Sequence, residues 1–142
     1  MEHVCYDRKS IHQLIDWGFM IAEKWKVESI LALIKAVAFD DFVIAGLGNP
    51  AGKTSRHIQR VGYSVLQVYG VVQNLGMENY SSGPLADNKG RPHDVWVFGV
   101  FLTSIETYIK IAVFVSCGSV KAVCVSFHEA EHPLCYPYRE EE

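Results

Sequence analysis

From Val27 to Ala38 the apolar residues Val27, Ile30, Leu31, Leu33, Ile34 and Val37 recur at helical spacing. Lys26, Glu28, Ser29 and Lys35 fall largely elsewhere around the wheel, which predicts a core-packed helix. Upstream, Ile11, Leu14 and Ile15 hint at an amphipathic helix that runs out near Gly18, with Trp17 as an anchor, and residues 1–25 stand as an N-terminal extension. Phe39 to Ala45 reads as a short strand closed by the breakers Gly46, Gly48, Asn49 and Pro50. A second helix is expected from about Val61 to Asn74, its face made by Val61, Val65, Leu66, Val68, Val72 and Leu75 and its stop by Gly76. The tyrosines and valines of that segment leave a strand open.

Ser81 to Pro92, SSGPLADNKGRP, is turn chemistry throughout and predicts a surface loop. Three strands follow, Asp94 to Val100, Glu106 to Val115 and Val120 to His128, and their short connections imply an antiparallel meander. The expected fold is α+β: an antiparallel sheet of this meander plus the earlier strand, with N-terminal helices packed on one side. Residues 1–142 make one domain, of which 139–142 form an acidic tail.

Strand alternation sharpens the picture. Thr107, Ile109, Ile111, Val113 and Val115 share one face, while Glu106, Tyr108, Lys110, Ala112 and Phe114 share the other. On the last strand Lys121, Val123, Val125 and Phe127 oppose Ala122, Cys124, Ser126 and His128. If the apolar faces cover one core, Tyr108, Lys110, Ser126 and His128 emerge together on the opposite surface.

Composition limits what that surface can do. With 49% hydrophobic and 20% charged residues the chain belongs with ordinary globular proteins. A formal charge of −3 supplies no global field for nucleic acid, so any such binding must come from a local cluster of Lys, Arg and His. The polar start MEHVCYDRKS and the lack of a bilayer-length apolar run predict a cytoplasmic protein with no membrane partner. Cys5, Cys117, Cys124 and Cys135 show no C-x-x-C spacing and read as reduced structural thiols.

His128-Glu129-Ala130-Glu131-His132 spells HExxH, which on a helix would bind zinc. Here it lies between the β-rich VCVSF and Pro133, which disfavours a helix at His132, so a zinc hydrolase is the weaker reading and no cofactor is expected. GLGNPAGKT, Gly46 to Thr54, misses the phosphate-loop spacing by one residue, because Leu47 stands where glycine is required. The same stretch, with Arg56-His57 after it, resembles the opening of bacterial peptidyl-tRNA hydrolases over about twenty residues. That would cast Asn49 and His57 as site residues.

A longer series runs in order: Asn79 to Leu85, Trp96 to Gly99, Glu106 to Ile111, Cys124 to His128, Ala130 to Leu134, and Tyr136 to Tyr138. It resembles the MqsR-like toxins of type II toxin–antitoxin systems, over Val27 to Arg139 and most strongly from Tyr80 onward. The resemblance implies a RelE-like fold, a small endoribonuclease that cleaves mRNA, and a cognate antitoxin protein as partner. It maps the family's middle-strand tyrosine onto Tyr108 and its C-terminal lysine onto His128, while Ser81 and Val97 stand where the family carries lysine and glutamine. Metal-independent cleavage needs a base, an acid and cations. The candidates are His128 as acid or base, Lys110 and Arg139 on phosphate, and Tyr108 positioning a phosphate oxygen or stacking a base. Glu131 would orient His128 or His132, and Lys89, Arg91 and Tyr80, with Trp96 nearby, would guide single-stranded RNA. A non-catalytic RNA- or protein-binding module on the same fold is the alternative.

Overall fold

The computed structural model describes residues 20–87, 89–90 and 92–140. The helix expected around Ile11, Leu14, Ile15 and Trp17 lies outside these residues, as does Arg91. Helix α1, Lys24–Lys35, buries Val27, Ile30, Leu31 and Ile34, the spacing of one helical stripe. Val27 and Ile34 are fully buried, a contribution of ~1.5–3 kcal/mol each. At its C-terminal end Lys35 Nζ donates to the carbonyls of Gln73 (3.2 Å) and Leu75 (2.8 Å), tying α1 to the end of the helix Val65–Gln73 and the chain just beyond it.

Strand β1, Phe42–Ile44, is followed by the breaker turn and then by two helices, of which only the second was expected. Helix α2 spans Lys53–Val61 and α3 spans Val65–Gln73. Gly62 ends α2 at φ +74°, a left-handed conformation suited to glycine, and its N–H closes back on Ile58 and Gln59. Ser64 then starts α3 with a capping box: Gln67 N–H donates to Ser64 Oγ (3.1 Å), and Ser64 N–H donates to Gln67 Oε1 (2.8 Å). The helix expected from about Val61 to Asn74 therefore begins at Val65, after this break, and ends at Gln73.

The remaining strands are β2 (Tyr80–Leu85), β3 (Val95–Leu102), β4 (Ile105–Ser116) and β5 (Ser119–Glu129). The domain is α+β, with one five-stranded sheet ordered β1-β5-β4-β3-β2. Two expectations are corrected. The sheet is mixed and not purely antiparallel, because β1 pairs parallel to β5. The loop expected from Ser81 begins as strand β2, in which Ser81, Ser82 and Gly83 are buried, and only the chain beyond Leu85 is irregular. Gly83 permits this: its φ is +118°, and a Cβ there would stand 3.0 Å from both Trp96 Cα and Val95 O.

Core residues from α1 and α3 meet Phe42, Ile44, Tyr80, Phe98, Leu102, Ile109, Ile111 and Phe127 on one face of the sheet. Ala122 and Cys124 join that face as well. Simple alternation would have sent Cys124 outward with Ser126. A bulge prevents it: Ile111 pairs with Cys124 and Lys110 with Ser126, so Val125 is the extra residue and the faces of β5 exchange there.

Candidate functional site

The four residues expected on the outer face do emerge there together. Tyr108 lies directly opposite His128, and Lys110 opposite Ser126, all partly exposed while Ile109, Ile111 and Phe127 are buried. The Tyr108 and His128 rings stack with centroids 5.2 Å apart and planes 15° from parallel. His128 Nδ1 lies 2.9 Å from the Glu129 carbonyl oxygen. A carbonyl only accepts, so Nδ1 carries the hydrogen and Nε2 of the neutral ring keeps its lone pair. Burial raises the Tyr108 phenol above its ordinary pKa, and the Glu131 carboxylate adds to the effect, so the hydroxyl stays protonated at neutral pH and can donate.

The C-terminal peptide crosses the same face. Its course is set by Glu106, whose carbonyl accepts Ala130 N–H (2.8 Å) and whose carboxylate accepts Leu134 N–H (3.1 Å) and Tyr136 Oη–H (2.7 Å). Gly99, which pairs with Tyr108 across β3 and β4, makes room for it. A Cβ on Gly99 would lie 2.6 Å from Leu134 Cδ1 and would also overlap Tyr136 Oη. Arg139 then rests its guanidinium 4.1 Å from the centre of the Tyr136 ring, a cation–π contact at an exposed position. Tyr138 stacks on Tyr80, with centroids 5.8 Å apart, and donates to the Ala22 carbonyl at 2.5 Å.

The cations beside His128 come from a helix that apolar periodicity does not reveal. The buried residues of α2 are Thr54, Ser55, His57 and Ile58, mostly polar, so no hydrophobic stripe marks it. Helix α2 lies along the edge of β5 that β1 leaves free, since β1 pairs only as far as Cys124. Thr54 Oγ1 accepts the Phe127 N–H (3.2 Å), which points away from β4 just beyond the bulge. His57 Nε2 lies 2.9 Å from Thr107 Oγ1. Two ion pairs close the ends: Lys53 with Glu131, and Arg60 with Glu129 at 2.8 Å. Between helix and strand runs a cleft of about 440 Å³ lined by Lys53, Arg56, His57, Arg60, His128, Glu129 and Glu131. The run K-T-S-R-H-I-Q-R, with basic residues at one-turn intervals, was the signal available in the sequence.

The other candidates scatter. Tyr80 is fully buried, accepts the Ala22 N–H (2.8 Å) and donates to the Gly83 carbonyl (2.6 Å), and burial pushes its phenol up to about 12. It therefore cannot stack on RNA, and its assignment as an RNA platform is withdrawn. Trp96 packs against the core beside it. Lys89 is exposed on the loop after β2, where its N–H donates to Asp87 Oδ1 (3.0 Å), and Arg91 lies outside the described residues. Glu131 engages Lys53, whose ammonium holds its carboxyl below the ordinary range, and His132 is exposed. Asn49 closes the breaker turn by accepting the Ala51 N–H (3.2 Å). His128 and Glu129 end strand β5 and residues 130–132 are irregular, so the HExxH string has no helix to bring its histidines together. Among the described residues no helix is long and apolar enough to cross a membrane. Comparison with family models, curated proteins and solved structures finds no match for this chain.

Proposed function

We propose that the chain is an endoribonuclease toxin of a type II toxin–antitoxin system, cleaving mRNA without a metal, on a RelE-like variant of the α+β fold. The observation that carries this reading is the stacked Tyr108–His128 pair beside Lys110, on an open face with cations at hand. The ordered motifs shared with the MqsR-like toxins give it further support.

Stacking on Tyr108 and the bond to the Glu129 carbonyl hold the imidazole of His128 in one orientation with Nε2 available. In the neutral form Nε2 takes the 2′-hydroxyl proton of the ribose, and the freed oxygen attacks the adjacent phosphorus. The protonated Tyr108 hydroxyl donates to a phosphate oxygen, and Lys110 steadies the charge that builds on the phosphorane. The leaving 5′-oxygen takes a proton from solvent water, giving fragments with 2′,3′-cyclic phosphate and 5′-hydroxyl ends, and the His128 imidazolium returns its proton to water to restore the base. Arg139, exposed next to the face, holds the flanking backbone.

One observation favours the non-catalytic alternative. Ser81 and Val97, which stand where the described toxins have lysine and glutamine, are both buried and offer no polar group to substrate. Incubation of purified protein with mRNA in EDTA separates the two. Cleavage that His128→Ala abolishes supports the nuclease, whereas RNA left intact at high protein concentration supports the binding module and defeats the enzyme reading.

A further inference from the structure

We propose that the cleft between α2 and the free edge of β5 is a phosphate-binding subsite that receives the backbone of single-stranded RNA. The identity of the polymer rests on the nuclease reading above; the anion chemistry does not.

Lys53, Arg56 and Arg60 occur at i, i+3 and i+7, so one face of α2 presents three permanent cations to the cleft. Arg56 is exposed and has no ion-pair partner among the described residues. Lys53 and Arg60 are engaged by carboxylates, but both pairs stand in solvent, with the two cationic side chains 63% and 61% exposed. Such exposed pairs contribute only ~0–1 kcal/mol, so a phosphate can replace a carboxylate at little cost. Glu129 and Glu131 thus occupy, in the free protein, positions that the RNA backbone would take.

His57 provides an independent indication of a ligand. It is 4% exposed and is among the residues that line the cleft, yet its buried Nδ1 has no hydrogen-bond partner among the described residues. A buried polar nitrogen without a partner is unfavourable and calls for one. Thr107 Oγ1 sits 2.9 Å from Nε2 and 3.4 Å from the Ile105 carbonyl oxygen; when its hydrogen is given to the nearer Nε2, Nδ1–H is left as a donor for a phosphate oxygen. The cleft also reaches His128, so a phosphate held there lies along the strand from the proposed scissile position.

The test is fluorescence anisotropy of the full chain with a labelled single-stranded 2′-O-methyl RNA oligonucleotide. That probe cannot be cleaved by 2′-hydroxyl attack, so binding is read whether or not the protein is a nuclease. Arg56→Glu should weaken binding about tenfold or more and reduce the dependence of log Kd on log salt by about 0.7 per lost phosphate contact. Glu129→Gln with Glu131→Gln should tighten binding severalfold by releasing Lys53 and Arg60, a gain that a purely structural role for the pairs would not produce. Unchanged affinity and salt slope in Arg56→Glu, or weaker binding in the double variant, would overturn the proposal. Saturable binding of inorganic phosphate alone, with no RNA binding, would overturn the RNA assignment. Binding that behaves as expected in a protein that leaves mRNA intact would keep the subsite and retire the nuclease.

Discussion

Thr54→Val isolates the contact that docks α2 on the sheet. The substitution keeps the shape and β-branching of the side chain and removes only the hydroxyl that accepts the Phe127 N–H at 3.2 Å. Phe127 is fully buried and Thr54 is 8% exposed, so water does not readily replace the lost acceptor. A buried donor left unsatisfied costs ~1–3 kcal/mol, more than the net value of an ordinary hydrogen bond. With a urea m value of roughly 1–3 kcal/mol/M for a domain of this size, a loss of about 2 kcal/mol lowers the unfolding midpoint by roughly 1 M. Urea titration followed by circular dichroism measures this, with m expected to stay constant. Thr54→Ser, which restores the acceptor, should recover most of the loss. A Thr54→Val midpoint within about 0.3 M of wild type, or a Ser variant as weak as Val, would refute the view that α2 is held by capping the free edge of β5.

Three further outcomes follow from particular residues. Burial lowers the pKa of His57 below its ordinary value, so the unfolded chain binds that proton more readily. Its contribution to stability is therefore complete above about pH 6.5 and falls as pH drops toward the lowered folded value; urea midpoints between pH 7.5 and 5 should show the loss, and His57→Gln should flatten it. The Cys124 thiol, fully buried and pushed up to about 12, should resist iodoacetamide in the native protein, whereas the exposed Cys117 reacts; peptide mass mapping that finds Cys124 alkylated as fast as Cys117 would contradict the burial. Gly99→Val would drive a side chain into Leu134 and Tyr136 and should lift the C-terminal peptide, giving faster amide exchange across residues 134–138 with little change in the helices.

The fold was legible where one physical signal dominated. The α1 stripe and β4 were readable because apolar periods of 3.6 and 2 held along them, β3 and β5 because β-branched and aromatic residues run between turn signals, and the alternation on β4 brought Tyr108 and Lys110 to one face as expected. Ser81 to Leu85 differs from the loop expected there because its serines, glycine and proline spell a turn, although pairing to β3 and burial make it a strand. Cys124 was assigned to the wrong face because a bulge at Val125 leaves no mark in the hydrophobic pattern. The largest omission was α2, and with it the cationic side of the site. A helix whose buried face is Thr54, Ser55 and His57 is held by hydrogen bonds to the sheet, and apolar spacing does not register such bonds.

The central claim is that His128 acts as the base that makes the 2′-hydroxyl a nucleophile. Single-turnover cleavage of a defined single-stranded RNA in EDTA tests it most directly, comparing wild type with His128→Ala and comparing the RNA with a copy carrying one 2′-deoxy nucleotide at the cut site. The account predicts 2′,3′-cyclic phosphate ends, a loss of roughly 10²–10⁴ in rate for His128→Ala, and no cut at the deoxy position. A His128→Ala protein that cleaves at the wild-type rate, or cleavage that persists at the 2′-deoxy site, would contradict it.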